Sequence, residues 1–132
     1  MQQQQQAMLD RLLSKSIAKQ KLLESIALDE QHSEILEDRA RLNKRALEVL
    51  KTSSEDRETM FSLGRETFAM LPNHLVQSLL TAEDPQLWEQ IENIQRKLPE
   101  KRQQLELLEE EIARLTEELL RSSPVNAPTK TV

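Results

Sequence analysis

The segment ETMFSLGRETFAML, residues 58–71, interrupts two long stretches that have the composition of helices. It holds both phenylalanines, two of the four methionines and the only glycine of the chain. In an extended backbone its apolar side chains alternate between two faces, and Gly64 supplies the positive φ angle that a tight connection often needs. The pattern predicts a β-hairpin. The residues that define it are Met60, Phe61, Leu63, Gly64, Phe68 and Met70.

The hairpin has one alternative, a helical link in which the same residues fill the turn of a coiled coil. The helix-forming composition of GRETFAML, residues 64–71, keeps that alternative open. A lone two-stranded hairpin is marginally stable in water. Its edges are therefore expected to join hairpins of other subunits in a shared sheet or barrel.

The stretch before the hairpin predicts one helix from Met8 to about Lys51, because it contains no proline or glycine and is rich in strong helix formers. Its second half repeats apolar residues every seven positions, whereas its first half follows another phase, so we expect a stutter between them. The heptad stripe is Leu28, Ile35, Leu42 and Val49, beside Leu36, Ala40, Leu47 and Leu50; the earlier set is Leu9, Leu12, Leu23 and Ile26.

The stretch after the hairpin predicts a short helical turn from Pro72, followed by a second long helix that starts at Asp84 and Pro85. From Leu87 the heptad is regular, so the helix is expected to pass through Pro99 with only a mild kink. One core position holds Ile91, Leu98, Leu105, Ile112 and Leu119, and the other holds Leu87, Ile94, Leu108 and Leu115, with Lys101 as the exception.

Charge predicts that the two helices pair in antiparallel. Residues 8–23 carry four basic side chains against Asp10, and residues 106–120 carry six glutamates against Arg114. Only an antiparallel arrangement brings these oppositely charged ends together. The predicted fold class is mainly α with a small β element: an antiparallel coiled-coil hairpin of two long helices joined by a β-hairpin. This domain covers residues 8–121, between a disordered glutamine-rich lead-in, residues 1–7, and a disordered tail, residues 122–132.

Composition limits the classes of function. With one tryptophan and no tyrosine, the chain has little bulky apolar material for a core of its own and is expected to share one with partners. The net charge of -5 argues against nucleic acid as the main partner, and the basic cluster at 39–45 is interpreted as a solvated helix face. The chain has no cysteine and no apolar run long enough for a membrane span. We expect a protein of the cytoplasm or the nucleus.

The order of elements resembles the β-type subunits of prefoldin and their prefoldin-like relatives. A helix, a glycine-containing hairpin and a returning helix follow one another in that family. The hairpin signature is carried here by Met60, Phe61, Gly64 and Phe68, and the polar stretch NHLVQSLLTAEDPQLWEQ, residues 73–90, is similar to the helix that succeeds it.

The resemblance implies a co-chaperone that works without ATP. Six such subunits would join their hairpins in a double β-barrel, and the helical tips would hold unfolded clients for the cytosolic chaperonin or, in prefoldin-like complexes, for RNA polymerase assembly. The apolar residues near the helix ends permit such capture, although each of them also fits a seam position. These client-binding candidates are Met8, Leu9, Leu12, Leu13, Leu115, Leu119 and Leu120.

Catalysis is not expected. His32 and His74 stand in no known ligand or triad spacing, and a single glycine excludes a phosphate-binding loop. We therefore predict no catalytic residue, no cofactor and no metal. The competing interpretation is a structural coiled-coil subunit of a tethering or cytoskeletal complex, which needs no sheet.

Overall fold

The computed structural model describes residues 2–53 and 57–122. The elements are helix α1, Gln2–Lys51; strand β1, Glu58–Gly64; strand β2, Thr67–Pro72; and helix α2, Asn73–Ser122. The strands pair in antiparallel as a two-stranded sheet. This confirms the predicted fold class of two long helices joined by a β-hairpin.

The chain divides into two compact units. The first unit contains the part of α1 up to Asp29 and the part of α2 from Lys97 onward. The second unit, residues 30–96, contains the remaining helical segments and the β-hairpin. Among the residues described, neither helix combines the length and apolar character needed to cross a membrane.

The helices run in antiparallel within each unit, as predicted. In the first unit Lys15 Nζ lies 2.8 Å from a carboxylate oxygen of Glu111, so the predicted basic and acidic ends meet. In the second unit the side-chain amide of Gln95 donates a hydrogen bond of 3.0 Å to Glu37.

Helix α1 begins earlier than the sequence suggested. The disordered lead-in expected for residues 1–7 is corrected for residues 2–7, which are helical. Glutamine has a high helix propensity, so the tract extends the helix readily. The Gln5 side chain also donates a hydrogen bond of 3.2 Å to the carbonyl of Ser122, the last residue of α2. The rest of the predicted tail lies outside the described residues.

The apolar residues predicted for the second half of α1 divide between two sides of the helix. The heptad stripe is exposed: Leu28, Ile35, Leu42 and Val49 keep 65%, 57%, 61% and 65% of their surface. The residues predicted beside it are confirmed in the core, where Leu36, Ala40 and Leu50 are buried and Leu47 is half-buried. Ile26 is buried in line with them, and Asp29, Ser33 and Asn43 fill the positions between at spacings of three and four residues, without a stutter. Both sets satisfy a heptad repeat, and only the packing of α2 decides which one is buried.

The second unit has two clusters of buried side chains. Leu36 and Ala40 of α1 pack on Leu87 and Ile91 of α2, and Ile91 is fully buried. Burial of one large aliphatic side chain contributes roughly 1.5–3 kcal/mol. The other cluster, at the hairpin, contains Leu50, Val76 and Leu80 together with the partly buried Ala46, Leu47, Phe61 and Leu71.

Helix α2 is a single helix, and the predicted start at Asp84 is wrong. The helix begins at Asn73, one residue after Pro72, and runs through both Pro85 and Pro99. Val76 and Leu80 are only 2% and 5% exposed, so packing of the first turns holds the helix before Pro85. A proline inside a helix removes one backbone hydrogen bond, a loss that this tertiary packing offsets.

The heptad of α2 agrees with the structure. Leu87, Ile91, Leu98 and Leu115 are buried, and the other five apolar seam residues are half-buried. The exception, Lys101, is also half-buried. Its ammonium group donates hydrogen bonds to the carboxylate of Asp29 and, at 2.8 Å, to the hydroxyl of Ser25. The first helix therefore supplies the acid that makes a lysine tolerable in this seam.

Candidate functional site

The two faces of the β-hairpin have different environments. Met60 pairs with Met70 and Ser62 with Phe68 on the outer face, where all four side chains are exposed. The three apolar members, Met60, Phe68 and Met70, keep 65%, 60% and 52% of their surface. Thr59, Phe61, Ala69 and Leu71 alternate with them and form the half-buried inner face.

The inner face rests on the helical part of the second unit. Phe61 and Leu71 contact the cluster of Leu50, Val76 and Leu80. Strands favour aromatic and branched side chains on such a half-buried surface, which explains why this segment leaves the helical pattern of its neighbours. Folding of this chain therefore covers one face of the hairpin and leaves the other face open.

Asn73 joins the hairpin to α2. The residue is buried, with 1% of its surface exposed, and its side chain accepts a hydrogen bond from the hydroxyl of Thr59. Its backbone N–H donates to the carbonyl of Arg57 at 2.8 Å. Asparagine is a favourable residue at a helix start because its side chain can hydrogen-bond to backbone N–H groups that have no partner within the first turn. These bonds fix the base of the hairpin at the beginning of α2.

Gln77 of α2 makes a similar side-chain hydrogen bond to the end of α1. Its side-chain nitrogen donates a hydrogen bond of 3.2 Å to the carbonyl of Leu50. The last carbonyls of a helix lack partners within the helix, so a donor from α2 stabilises this end. Polar contacts therefore flank the Leu50 cluster: Asn73 bonds to the hairpin, and Gln77 bonds to the end of α1.

The turn differs in detail from the prediction. Residues 65 and 66 connect the strands, and Glu66, with φ of 58°, holds the left-handed conformation that was expected of glycine. Gly64 has φ of 159°, at the edge of the range that other residues rarely adopt. The pairing shifts between Ser62 and Gly64, which leaves Leu63 as an extra residue of a β-bulge. Leu63 is 59% exposed.

The structure divides the six residues predicted for assembly. Met60, Leu63, Phe68 and Met70 are exposed, and Gly64 ends β1 beside them. Phe61, which was expected at a contact between hairpins, instead packs on the helices of its own chain. Strand alternation separates the two phenylalanines because the register pairs Phe61 with Ala69 and Phe68 with Ser62. We call Met60, Phe68 and Met70 the outer patch. Leu63, in the bulge, lines a groove with Phe61 of the inner face and Leu79 of α2.

The residues predicted for client binding also have two environments, all within the first unit. Leu9, Leu13 and Leu120 are 49%, 62% and 53% exposed. Met8, Leu12 and Leu119 are half-buried, and Leu115 is buried at 8%. Leu115 is a seam residue that packs inside the unit. Of these seven residues, the three exposed leucines are available to a client without opening the seam.

Two exposed apolar residues of the first unit were missed from the sequence. Ile17 is 48% exposed, and its signal was the spacing of four residues after Leu13. Leu107 is 52% exposed and borders an open groove of about 600 Å³ that Ala18, Leu22 and Leu108 also line.

Lys15 and Glu111 provide the main electrostatic contact beside that groove. The hydrogen bond and the charge of Lys15 lower the pKa of the Glu111 carboxyl below its ordinary value. Both side chains keep more than a third of their surface, so salt screens the attraction. The pair orients the helix ends and offers no group with unusual reactivity.

The described residues include an exposed surface that can bind another protein. Within residues 2–53 and 57–122, no group of three or more His, Asp or Glu side chains could hold a metal ion. The outer patch presents apolar side chains on a two-stranded sheet and can bury them against another sheet. No protein-family profile matches the chain, and no curated protein is significantly similar to it.

Proposed function

We propose that the chain is a subunit of a prefoldin-type or prefoldin-like hetero-oligomeric co-chaperone. It joins other subunits of the same type, six in the assembled complex, through its β-hairpin. The complex binds unfolded client proteins in the cytoplasm or the nucleus and aids folding or complex assembly without ATP. The cytosolic chaperonin and RNA polymerase assembly factors are the proposed receivers of its clients.

The exposed outer patch carries this proposal. Met60, Phe68 and Met70 form an apolar face on a sheet that has only two strands among the described residues. Such a sheet has two unpaired edges, and exposed edges with apolar faces are normally covered by partners. Because Phe61 and Leu71 already anchor the other face, the outer patch can join other hairpins while the chain keeps its own fold.

The exposed leucines of the first unit support client binding. Leu9, Leu13 and Leu120 present flexible aliphatic side chains that bind many apolar sequences weakly. Neither hydrolysis nor a bound cofactor is needed for such capture. In this proposal the exposed leucines of the first unit hold the client, while the β-hairpin keeps the complex assembled.

A tethering or cytoskeletal coiled coil is the second candidate, and one observation favours it. Ile35, Leu42 and Val49 recur every seven residues on an exposed face of α1, where a further helix can pack. In that case the helices would be the assembly surface, and the outer patch would not be needed for it.

The two phenylalanines provide a matched test. Phe68→Ser should leave the chain folded and remove it from the complex, because Phe68 is 60% exposed on the outer patch. Phe61→Ser should unfold the hairpin region itself, since loss of a packed phenylalanine commonly costs about 3–5 kcal/mol. Circular dichroism measures folding, and size-exclusion chromatography with co-expressed partners measures assembly. Arg65→Ser, in the turn, is the control for an exposed change.

Client binding is tested on the assembled complex. Changing Leu9, Leu13 and Leu120 together to Ser should keep the complex intact and weaken its suppression of aggregation of an unfolded client. The two assays distinguish the candidates. If Phe68→Ser stayed in the complex while the triple leucine variant left it, the helices would be the assembly site and the tethering coiled coil would be the better account.

A further inference from the structure

Helix α1 has a second, unused seam within the second unit. Ile35, Asp38, Leu42, Arg45 and Val49 follow one another at intervals of three, four, three and four residues, so they share one face of the helix. All five side chains are exposed, whereas the first seam on α1 is buried against α2. We call these five residues the second seam.

The polar members of the second seam differ in their contacts. Asp38 accepts a hydrogen bond from Arg41 on the same helix. Arg45, placed between Leu42 and Val49, makes no ion pair with any residue that the structure describes. The last part of α1 is also strongly basic. Residues 39–51 hold one acid, Glu48, against five basic side chains: Arg39, Arg41, Lys44, Arg45 and Lys51.

A second copy of this chain fits the second seam poorly. In a parallel pairing of two copies, Arg45 would face Arg45. In the antiparallel pairings that keep the two seams facing each other, Arg45 would face Leu42 or Ile35 of the other copy. None of these symmetric arrangements places an acid opposite Arg45, so its charge would be covered without a partner. The chain's own seam shows the opposite solution, in which Lys101 meets the carboxylate of Asp29.

We infer that the second seam binds an acidic amphipathic α-helix of another protein. That helix carries aliphatic residues at heptad spacing, which cover Ile35, Leu42 and Val49, and a glutamate or aspartate opposite Arg45. The contact is a helix-on-helix interface, separate from the outer patch of the hairpin. It does not depend on the proposed co-chaperone function.

The test uses the full chain and a labelled synthetic peptide of about four heptads, with Leu and Ile at its seam positions and one Glu placed to face Arg45. Fluorescence anisotropy should show binding that Leu42→Ser and Arg45→Glu each weaken by about tenfold or more. A peptide with Lys in place of that Glu should bind Arg45→Glu better than the parent chain. Arg65→Glu, a charge reversal in the hairpin turn, is the matched control and should change affinity less than about twofold.

The outcomes distinguish a helix-binding surface from self-association and from nucleic-acid binding. Phe68→Ser should keep full peptide affinity, so a failed hairpin assembly cannot be confused with a failed second seam. Equal peptide binding by Leu42→Ser and the parent chain would overturn the inference. Self-association that Leu42→Ser abolishes, without peptide binding, would assign the seam to a second copy. Binding of a single-stranded RNA that Arg45→Glu abolishes, with no effect on the peptide, would assign it to nucleic acid.

Discussion

The two helices contribute unequally to the seam between them. From Leu87 onward, helix α2 supplies an almost unbroken apolar series at the heptad positions, and the one polar residue in that series is Lys101. Helix α1 supplies fewer apolar residues and several polar ones, including Asp29, Ser33 and Asn43. The difference indicates that apolar burial by α2 provides most of the packing energy, while the polar residues of α1 determine how the partner helix is placed.

Removal of an apolar contact from α2 should have the largest effect. Ile91→Ala is expected to lower the free energy of unfolding by about 2–5 kcal/mol, because Ile91 is fully buried against Leu36 and Ala40. Urea titration followed by circular dichroism measures the change. Leu107→Ala, at an exposed position of the same helix, is the control. A loss below about 1 kcal/mol for Ile91→Ala would contradict the packing described for the second unit.

Separation of Lys101 from Asp29 should have the next largest effect. Asp29→Ala leaves a half-buried ammonium group without its acid, which costs about 1–3 kcal/mol. The double variant Asp29→Leu with Lys101→Leu should recover that loss, since an apolar pair replaces an ion pair well. Disulfide trapping between cysteines introduced in the two helices reports the register in which they pair. The double variant should form disulfides that correspond to more than one register. A double variant as unstable as Asp29→Ala would show that the pair itself stabilises the chain.

Replacement of a polar residue of α1 should increase stability. The side-chain nitrogen of Asn43 is buried and has no hydrogen-bond partner among the described residues. Asn43→Leu is therefore expected to raise the free energy of unfolding by about 1–2 kcal/mol. Thermal unfolding measures the gain, with Asn93→Leu on α2 as a control for a change of the same type. A destabilised Asn43→Leu variant would mean that the amide has a partner in solution.

The exposed ion pair should have the smallest effect, and it depends on pH. Lys15 lowers the pKa of Glu111. The pair therefore stabilises the folded chain fully above the ordinary pKa of a glutamate, and this contribution is lost as the pH falls through the lowered pKa. Lys15→Gln should raise the Glu111 pKa toward its ordinary value and flatten that acid dependence. Carboxyl NMR titration checks the pKa, and an unchanged value would show that the pair does not persist in solution.

The sequence predicted the parts of the fold that local pattern controls. The alternation around Gly64 predicted the hairpin, and the heptad of α2 predicted its buried face because a single apolar stripe was present there. It could not predict which face of α1 is buried. Leu28 and Ile35 satisfy the same periodicity as Ile26 and Leu36, and the choice depends on the surface of α2.

The residues predicted for assembly are divided by the structure according to exposure. Met60, Phe68 and Met70 are exposed, and strand alternation explains why Phe61 turns inward. Their role in assembly stays a prediction. The start of α2 was misplaced because Asp84 and Pro85 have the local chemistry of a helix start. The true start at Asn73 is stabilised by contacts with Thr59 and Arg57, which are distant in the sequence.

Strand β2 passes into α2 with no residue between Pro72 and Asn73, whereas residues 52–57 separate α1 from β1. The sheet and the first turns of α2 therefore behave mechanically as one piece, with Asn73 as the rigid joint. Torque applied to the hairpin is transmitted to α2 directly along the chain and to α1 through the packing of Phe61 and Leu71 on Leu50. Whatever partner holds the outer patch, the direction in which the hairpin is held determines the direction in which the first turns of α2 leave it.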